Sequence, residues 1–156
     1  MHFNEIYQEY WPKVYRQCMG FVNDTDLAKD LAQETFIKVW ANLHKFRKES
    51  SIGTWIFRIA VNECLGQIRK DKKMPKSELP AQIPQDKTLD IEPKVQLLYH
   101  FISELPEIER LVISLELEDI KQKDIAKIVG ISESNVRVKI YRIKKKLTQK
   151  FQKHEQ

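Results

Sequence analysis

Cationic, amide and hydroxyl side chains share one face of a predicted helix in the last third of the chain. Residues 121–156 carry 11 basic and 3 acidic side chains, whereas residues 92–120 carry 2 basic and 7 acidic ones. Such a face can donate hydrogen bonds to phosphates and to base edges, which is the chemistry of polyanion recognition. From charge alone, a solvated basic helix at the chain end is an equal alternative. The face consists of Ser134, Val138, Tyr141, Arg142 and Lys145, with Asn135, Arg137 and Lys139 beside it.

The elements that would hold this face follow the pattern of a helix-turn-helix motif beginning at Gln122. Gly130 can end the first helix, because glycine adopts a left-handed backbone at the least cost, and Ser132 can cap the second. An amphipathic hairpin with a solvated basic face would explain the charges, but not the coincidence of glycine, cap and apolar positions. The second helix is therefore predicted to enter a DNA major groove. Its apolar stripe is Val136, Ile140, Ile143 and Leu147.

A second candidate surface lies on a helix predicted to begin after Asn23-Asp24-Thr25 and to run to about Leu43. A broad apolar arc, which includes Trp40, is expected to face the core. An isoleucine among carboxylates on the remaining stripe suggests a protein-contact patch, and a solvated face is the alternative. That stripe consists of Asp30, Gln33, Glu34, Ile37 and Lys38.

A third candidate site combines a basic loop with the helix that follows it. The loop at 45–53 contains Lys45, Arg47 and Lys48, and the next helix is predicted over 54–70. Cations flanking an amide could follow a DNA backbone and hydrogen-bond an unpaired base, although an exposed polar stripe is the alternative. The helix stripe consists of Arg58, Asn62 and Arg69.

Helical periodicity with four glycines and no β-branched alternation predicts an all-α protein. Prolines cluster between the two halves, so we predict a domain over 1–71, a helix-breaking linker over 72–91 and a second domain over 92–156. The first helix, about 3–22, is expected to be kinked or divided at Pro12. The remaining helices are predicted at about 93–104, 107–117, 122–129 and 133–150.

Several function classes find no support in the sequence. There is no Ser/His/Asp, metal-binding or Gly-rich phosphate constellation, so neither an enzyme nor a cofactor is predicted. Cys18 and Cys64 lack metal-ligand spacing and are expected to be buried, reduced thiols of a cytosolic protein. No apolar run approaches the roughly 18 residues of a membrane span, and the N-terminus does not resemble a signal peptide.

Three separate motifs resemble the sigma factors of bacterial RNA polymerase. Asp30–Trp40 resembles region 2.1–2.2, and Thr54–Asn62 resembles region 2.3–2.4 of extracytoplasmic-function (ECF) sigma factors. Residues 105–107, 124–131 and 134–142 resemble region 4. The resemblance covers nearly the whole chain except the linker, and the three motifs occur in the family order.

This resemblance implies partners and residue roles. The stripe of Asp30, Gln33, Glu34 and Ile37 would dock on the clamp helices of core RNA polymerase, with the linker near its active-site channel. The loop and Asn62 would capture a flipped base of the promoter −10 element, with Arg47, Lys48, Arg58 and Arg69 also binding DNA. An anti-sigma factor is a further expected partner. The −35 element would be bound by Ser134, Asn135, Arg137, Lys139 and Arg142.

Three departures from the family pattern qualify these expectations. Glu116 stands where an arginine often touches the −35 backbone, and Gly66 stands where an aspartate is frequent. Members usually have a short helix before the equivalent of Phe3, whereas this chain starts almost at once. The alternative function is a helix-turn-helix regulator that binds duplex DNA without polymerase, and binding to core polymerase separates the two.

Overall fold

The computed structural model describes residues 2–73 and 92–155. These residues contain seven α-helices and one short 3-10 helix. The prediction of an all-α protein with two small helical domains is confirmed. Of the predicted linker, residues 74–91 lie outside the described residues. The helices are α1 (Phe3–Val22), α2 (Thr25–Asn42), α3 (Ile52–Lys73), α4 (Pro93–Ser103), α5 (Glu107–Glu116), α6 (Gln122–Val129) and α7 (Glu133–Glu155), with the 3-10 helix at Leu43–Lys45.

Capping side chains and left-handed residues set the boundaries of the N-terminal helices. Pro12 lies inside an undivided α1, which ends where Asn23 adopts a left-handed φ of 49°. The Asp24 side chain caps α2 by accepting a hydrogen bond of 3.0 Å from the Leu27 amide. Ser51 accepts a 3.1 Å bond from the Thr54 amide. Helix α3 therefore begins at Ile52, two residues before the predicted start.

The first three helices pack around a shared apolar core, and one prediction about α2 is wrong. Trp40 was assigned to the buried arc of α2, but its side chain is 67% exposed, whereas the preceding Val39 is fully buried. Successive residues of an α-helix are about 100° apart around its axis. Trp40 therefore lies outside the surface that α1 and α3 cover, although Val39 lies within it. Periodicity shows which side chains lie on the apolar arc, but it does not show how much of that arc the neighbouring helices cover.

The helix-turn-helix forms as predicted in the C-terminal half. Gly130 ends α6 with a φ of 83°, and the Ser132 hydroxyl accepts a 3.1 Å hydrogen bond from the Asn135 amide at the start of α7. Helix α7 extends to Glu155, beyond the predicted residue 150, because Phe151 packs edge-on against Phe101 of α4 with ring centroids 5.0 Å apart. The predicted apolar stripe of α7 is buried throughout: Val136, Ile140, Ile143 and Leu147.

The two groups of helices pack against each other through α1, which lies on α4 and α5, and through α3, which lies on α6. Gly20 permits a close approach, because a Cβ atom at this position would lie 2.2 Å from Oγ of Ser114. Arg16 forms a two-pronged ion pair with Glu118, with a closest distance of 2.7 Å. These contacts make a junction between the domains, and we call the α1–α5 part of it the interdomain junction.

Candidate nucleic-acid and polymerase interfaces

The outward face of α7 presents most of the predicted DNA-binding side chains to solvent. Its buried stripe holds the opposite side of the helix against α5 and α6. The Ser132 cap fixes the first turn and lies 3.3 Å from the Ser134 hydroxyl. Lys139 is half-buried, and the exposed members of the face are Ser134, Asn135, Arg137 and Arg142.

Ion pairs divide the cations of α7 into two sets. One set faces the protein: Lys144 pairs with Glu116 at 3.1 Å, and Lys146 pairs with Glu109 at 3.5 Å. Lys150 completes this set with Glu104 at 3.3 Å. The other set forms no ion pair with any residue that the structure describes, so its charge is available to a ligand. That set is Arg137, Lys139, Arg142, Lys145 and Lys153.

Glu116, which departs from the family pattern, therefore has a structural role. Its side chain is largely buried and ties α5 to α7 through Lys144. An arginine here would add positive charge to this edge of the domain, whereas the glutamate neutralises a neighbouring cation instead. The edge of the helix-turn-helix at Glu116 consequently offers less attraction to phosphate than the outward face does.

The basic loop and the start of α3 enclose two cavities on either side of Trp55. Trp55 is half-buried, and its ring lies 5.2 Å from that of Phe46, centroid to centroid. One cavity, of about 390 Å³, brings Arg47 and Arg58 together. Its other lining residues include Glu49, Ser50 and, from α6 of the C-terminal domain, Lys127.

The second cavity, of about 350 Å³, contains the amide that was predicted to contact a base. Asn62 is exposed at its wall, next to Trp55 and Ile59. The polar side of the cavity is organised by an ion pair between Lys38 of α2 and Glu63 of α3. A cavity with an aromatic wall and an exposed amide can stack a planar base and hydrogen-bond its edge.

Two predicted residues of this region lie apart from the cavities. Lys48 is exposed in a left-handed conformation with a φ of 51° and lines neither cavity. Arg69 is exposed on α3, seven residues beyond Asn62, which places it about 10 Å further along the helix. Sequence reasoning did not select Phe46 and Trp55 as site residues. The sequence contains a signal for these two aromatics, because Phe46 lies within the basic loop and Trp55 follows it closely.

The stripe on α2 is exposed as predicted and forms one surface with Trp40. Asp30, Gln33 and Glu34 are exposed, and the Ile37 side chain is 58% exposed. Trp40 follows Ile37 by three residues, so the two apolar side chains are neighbours on the helix. We call these five residues the α2 surface, which joins carboxylates to a large apolar contact area.

A shallow cavity of about 420 Å³ separates the α2 surface from α3 and includes Asp30, Glu34 and Gly66 in its lining. Gly66 lies inside α3, and a Cβ atom added there would meet nothing within 4 Å. The glycine is thus not required by packing, and the space that an aspartate would fill remains open beside the two carboxylates.

The two cysteines are buried and free, with their sulfur atoms 3.9 Å apart between α1 and α3. The hydrogen bond to Cys64 and burial raise the pKa of Cys18 well above its ordinary value, so the thiol stays protonated. Among the described residues, no cluster of three or more potential ligands could hold a metal ion. No helix of the described ranges is long and apolar enough to span a membrane.

Comparison with known proteins identifies both halves. Residues 6–74 match Sigma-70 region 2, and residues 96–147 match Sigma-70, region 4. The ECF RNA polymerase sigma factor SigM of Bacillus subtilis (strain 168) is 31% identical over 153 residues, spanning 94% of this chain and 93% of SigM. The RNA polymerase sigma-H factor of Pseudomonas aeruginosa is 30% identical over 166 residues, spanning 96% and 86%.

Solved structures share the fold. The sigma factor RpoE, solved in complex with the anti-sigma factor NepR from Bartonella quintana, superposes with a TM-score of 0.74 at 22% identity over 94% of each chain. CnrH, solved with the cytosolic domain of CnrY, has a TM-score of 0.69 at 19% identity, over 96% of this chain and 87% of CnrH. The all-α two-domain architecture with these two regions is that of a bacterial sigma factor.

The chain belongs to the ECF family of RNA polymerase sigma factors, which are transcription initiation factors. A regulator that acts without polymerase is not favoured, because region 2 occupies the first half of the chain. Core RNA polymerase and promoter DNA are accordingly its partners.

Proposed function

We propose that residues 1–71 bind core polymerase and the −10 element, and that residues 92–156 bind the −35 element. The linker at 72–91 would connect them near the polymerase active-site channel. The observation that carries this proposal is the division of the α7 cations. Three are paired with glutamates of the same domain, and the other five form no ion pair with any residue that the structure describes.

At the −35 element, the unpaired face of α7 would lie in the major groove. Arg137 and Arg142 suit guanine edges or phosphates, because a guanidinium can donate two parallel hydrogen bonds. Asn135 suits an adenine edge through its amide, and Lys139 suits a phosphate as a compact charge. Ser134, at the beginning of the helix, would donate to a backbone oxygen.

At the −10 element, a flipped base would occupy the cavity between Trp55 and Asn62. Stacking on Trp55 would repay part of the unstacking energy, and the Asn62 amide would hydrogen-bond the base edge. Arg47 and Arg58, which share the adjoining cavity, would follow the strand backbone. Lys48 and Arg69 would contribute charge further along the strand.

The α2 surface would dock on core polymerase through Asp30, Gln33, Glu34 and Ile37, with Trp40 enlarging the apolar contact. Exposed apolar side chains beside carboxylates suit a partner that presents both apolar and basic groups. The cytoplasm is the compartment in which this partner is found. The protein would have no catalytic centre of its own, since polymerase performs the chemistry.

An anti-sigma factor is a further partner under this proposal. One structural relative was solved with an anti-sigma factor, NepR, bound, and another was solved with the cytosolic domain of CnrY bound. In this chain Ile37, Trp40, Val138 and Tyr141 leave apolar surface exposed on both domains. A single inhibitor that covers both surfaces would block polymerase and promoter together.

Reconstitution tests the proposal. The purified chain is incubated with core polymerase, the complex is isolated by gel filtration, and transcription is measured on a library of random promoter sequences. We expect a stable complex and initiation from templates that share two elements. Failure to bind core polymerase would contradict the polymerase-docking role, whereas initiation that needs only a −10 element would contradict the role of α7.

A further inference from the structure

An apolar patch interrupts the cationic face of α7. Val138 is 45% exposed and Tyr141 is 70% exposed. Neither side chain packs against the hydrophobic core, and residues three positions apart on a helix are neighbours. Isolated exposed apolar residues are common, but two adjoining ones beside four cations that form no ion pair with a described residue suggest a ligand.

Charge complementarity indicates which ligand covers this patch. Arg142 and Lys145 follow Val138 and Tyr141 by one turn each, and Arg137 and Lys139 flank the patch. All four cations lack an ion-pair partner among the described residues. A surface that is apolar at its centre and cationic at its rim fits a polyanion with a small apolar group inside it.

The major groove of DNA contains one such group. The C5-methyl of thymine is apolar, whereas the other major-groove features of the base pairs are hydrogen-bond donors and acceptors. We propose that Val138 and Tyr141 bind the C5-methyl group of a thymine in the −35 element. This inference rests on the proposed function, in which α7 enters that groove.

The position of the patch along α7 agrees with this assignment. Val138 lies in the second turn of a helix that begins at Glu133, and the N-terminal turns of a recognition helix contact base edges. Tyr141, one turn later, would close the other side of the methyl group and exclude water. A thymine is thereby distinguished from a cytosine, which presents an amino group and no methyl.

The test removes the methyl group without changing any hydrogen bond. A −35 duplex is selected from random DNA by the full-length chain assembled with core polymerase. Each thymine in turn is then replaced by deoxyuridine, and the competition affinity is measured. We expect roughly fourfold weaker binding at one position or at two adjacent ones, since burying one methyl group contributes about that factor.

Variants connect the effect to the patch. Val138→Ala and Tyr141→Ala should each bind the thymine duplex more weakly and should lose most of the sensitivity to deoxyuridine. Val95→Ala is the matched control, because Val95 is 36% exposed on α4, a helix that provides none of the predicted DNA contacts. It should retain both affinity and sensitivity. Circular dichroism and thermal melting establish that each variant is folded.

Three outcomes would overturn the inference, and they differ from failure of the proposed function. Wild-type protein could bind the selected duplex tightly yet respond to no deoxyuridine substitution. The two patch variants could retain the full sensitivity of the wild type. The patch variants could bind promoter normally and lose only a protein partner. If instead no duplex is selected at all, the −35 role of α7 itself is wrong.

Discussion

The two proposed DNA sites are built differently. The site in the N-terminal domain is concave, and its walls come from α2, the loop after it and α3, with Lys127 of α6 also lining one cavity. The site in the C-terminal domain is convex, and a single helix, α7, provides all its predicted contacts. A concave site can enclose one extruded base, whereas a convex helix matches the groove of an intact duplex.

This difference has consequences for mutation. In the concave site, several elements form one enclosure, so a substitution in any of them alters its shape. The losses of DNA affinity that two such substitutions cause should therefore depend on each other. On α7, the side chains point separately into solvent and should contribute nearly independently of one another. The α2 surface is a third case, because it faces polymerase and should be separable from both DNA sites.

The largest expected effect separates polymerase docking from DNA recognition. The double substitution Asp30→Lys/Glu34→Lys changes the charge of the α2 surface by four units and should abolish binding to core polymerase. Because both side chains are exposed, the fold should remain intact. Binding is measured by gel filtration or by competition with another sigma factor.

A matched control has the same charge change and the same spacing on another helix. Glu5→Lys/Glu9→Lys alters two exposed carboxylates of α1 and should bind core polymerase nearly as well as wild type. If the α2 double variant also binds normally, the docking surface lies elsewhere on the molecule.

The second prediction concerns the interdomain junction, where the two sites are held together. Elements at positions −35 and −10 are about 25 base pairs apart by their definition, or about 85 Å at 3.4 Å per pair. A compact chain of 156 residues has a radius of gyration of about 15 Å. Under the proposed function, the junction must therefore open before both elements can be bound at once.

Buried polar groups at the junction favour this opening. Within the described residues, the buried side-chain atoms without a hydrogen-bond partner are Oη of Tyr15, Nε of Arg110 and Oγ of Ser114. Ser114 lies opposite Gly20 and the Arg110 guanidinium lies over the ring of Phe21, so these two groups are at the junction. Each unpaired group costs about 1–3 kcal/mol and would regain water on separation.

A reversible crosslink tests the requirement. In the variant Gly20→Cys/Ser114→Cys, the Cβ atoms start about 3.0 Å apart, so a small movement of the helices admits a disulfide. The oxidised protein should lose transcription by more than tenfold, and dithiothreitol should restore it. Equal activity before and after reduction would show that the junction need not open, and Ser114→Cys alone controls for the thiol.

A third experiment measures the concave site. Trp55→Ala removes the aromatic wall shared by the two cavities and should weaken binding of single-stranded −10 DNA by about 1–3 kcal/mol, the contribution of base stacking. The measurement is fluorescence anisotropy with polymerase-bound protein. Trp11→Ala is a control aromatic in the same domain, packed with Tyr7 and Tyr15 on α1. It should affect stability more than affinity, so equal affinity losses would contradict the assignment.

An effect of the same size or smaller is expected on the convex site. Arg142→Ala should weaken −35 binding by about 1–3 kcal/mol if the side chain contacts a base and by less if it contacts a phosphate. Salt titration distinguishes the two, since loss of a phosphate contact reduces the salt slope by about one. Lys144→Ala, which removes a cation already paired with Glu116, should change affinity less. Unchanged affinity of Arg142→Ala on a matched promoter would remove it from the interface.

Local sequence signals predicted the helix-turn-helix that holds the proposed convex site. Gly130, the Ser132 cap and the buried stripe of α7 are contiguous features that depend only on helical geometry and backbone preference. The concave site was predicted only in part. Asn62, Arg47 and Arg58 were selected, but the aromatic wall of Phe46 and Trp55 was not, because their contact depends on how the loop folds back over α3.

By itself, the sequence determined the helices, their buried faces and the three motifs that define the family. Periodicity and caps act within a few residues, so they can be recognised without a tertiary structure. Only the tertiary structure decided that Trp40 is exposed, that Glu116 neutralises Lys144 and that α1 lies against α5. Those features depend on which surfaces a helix distant in sequence covers. The apolar pattern of one helix does not show where its neighbours lie.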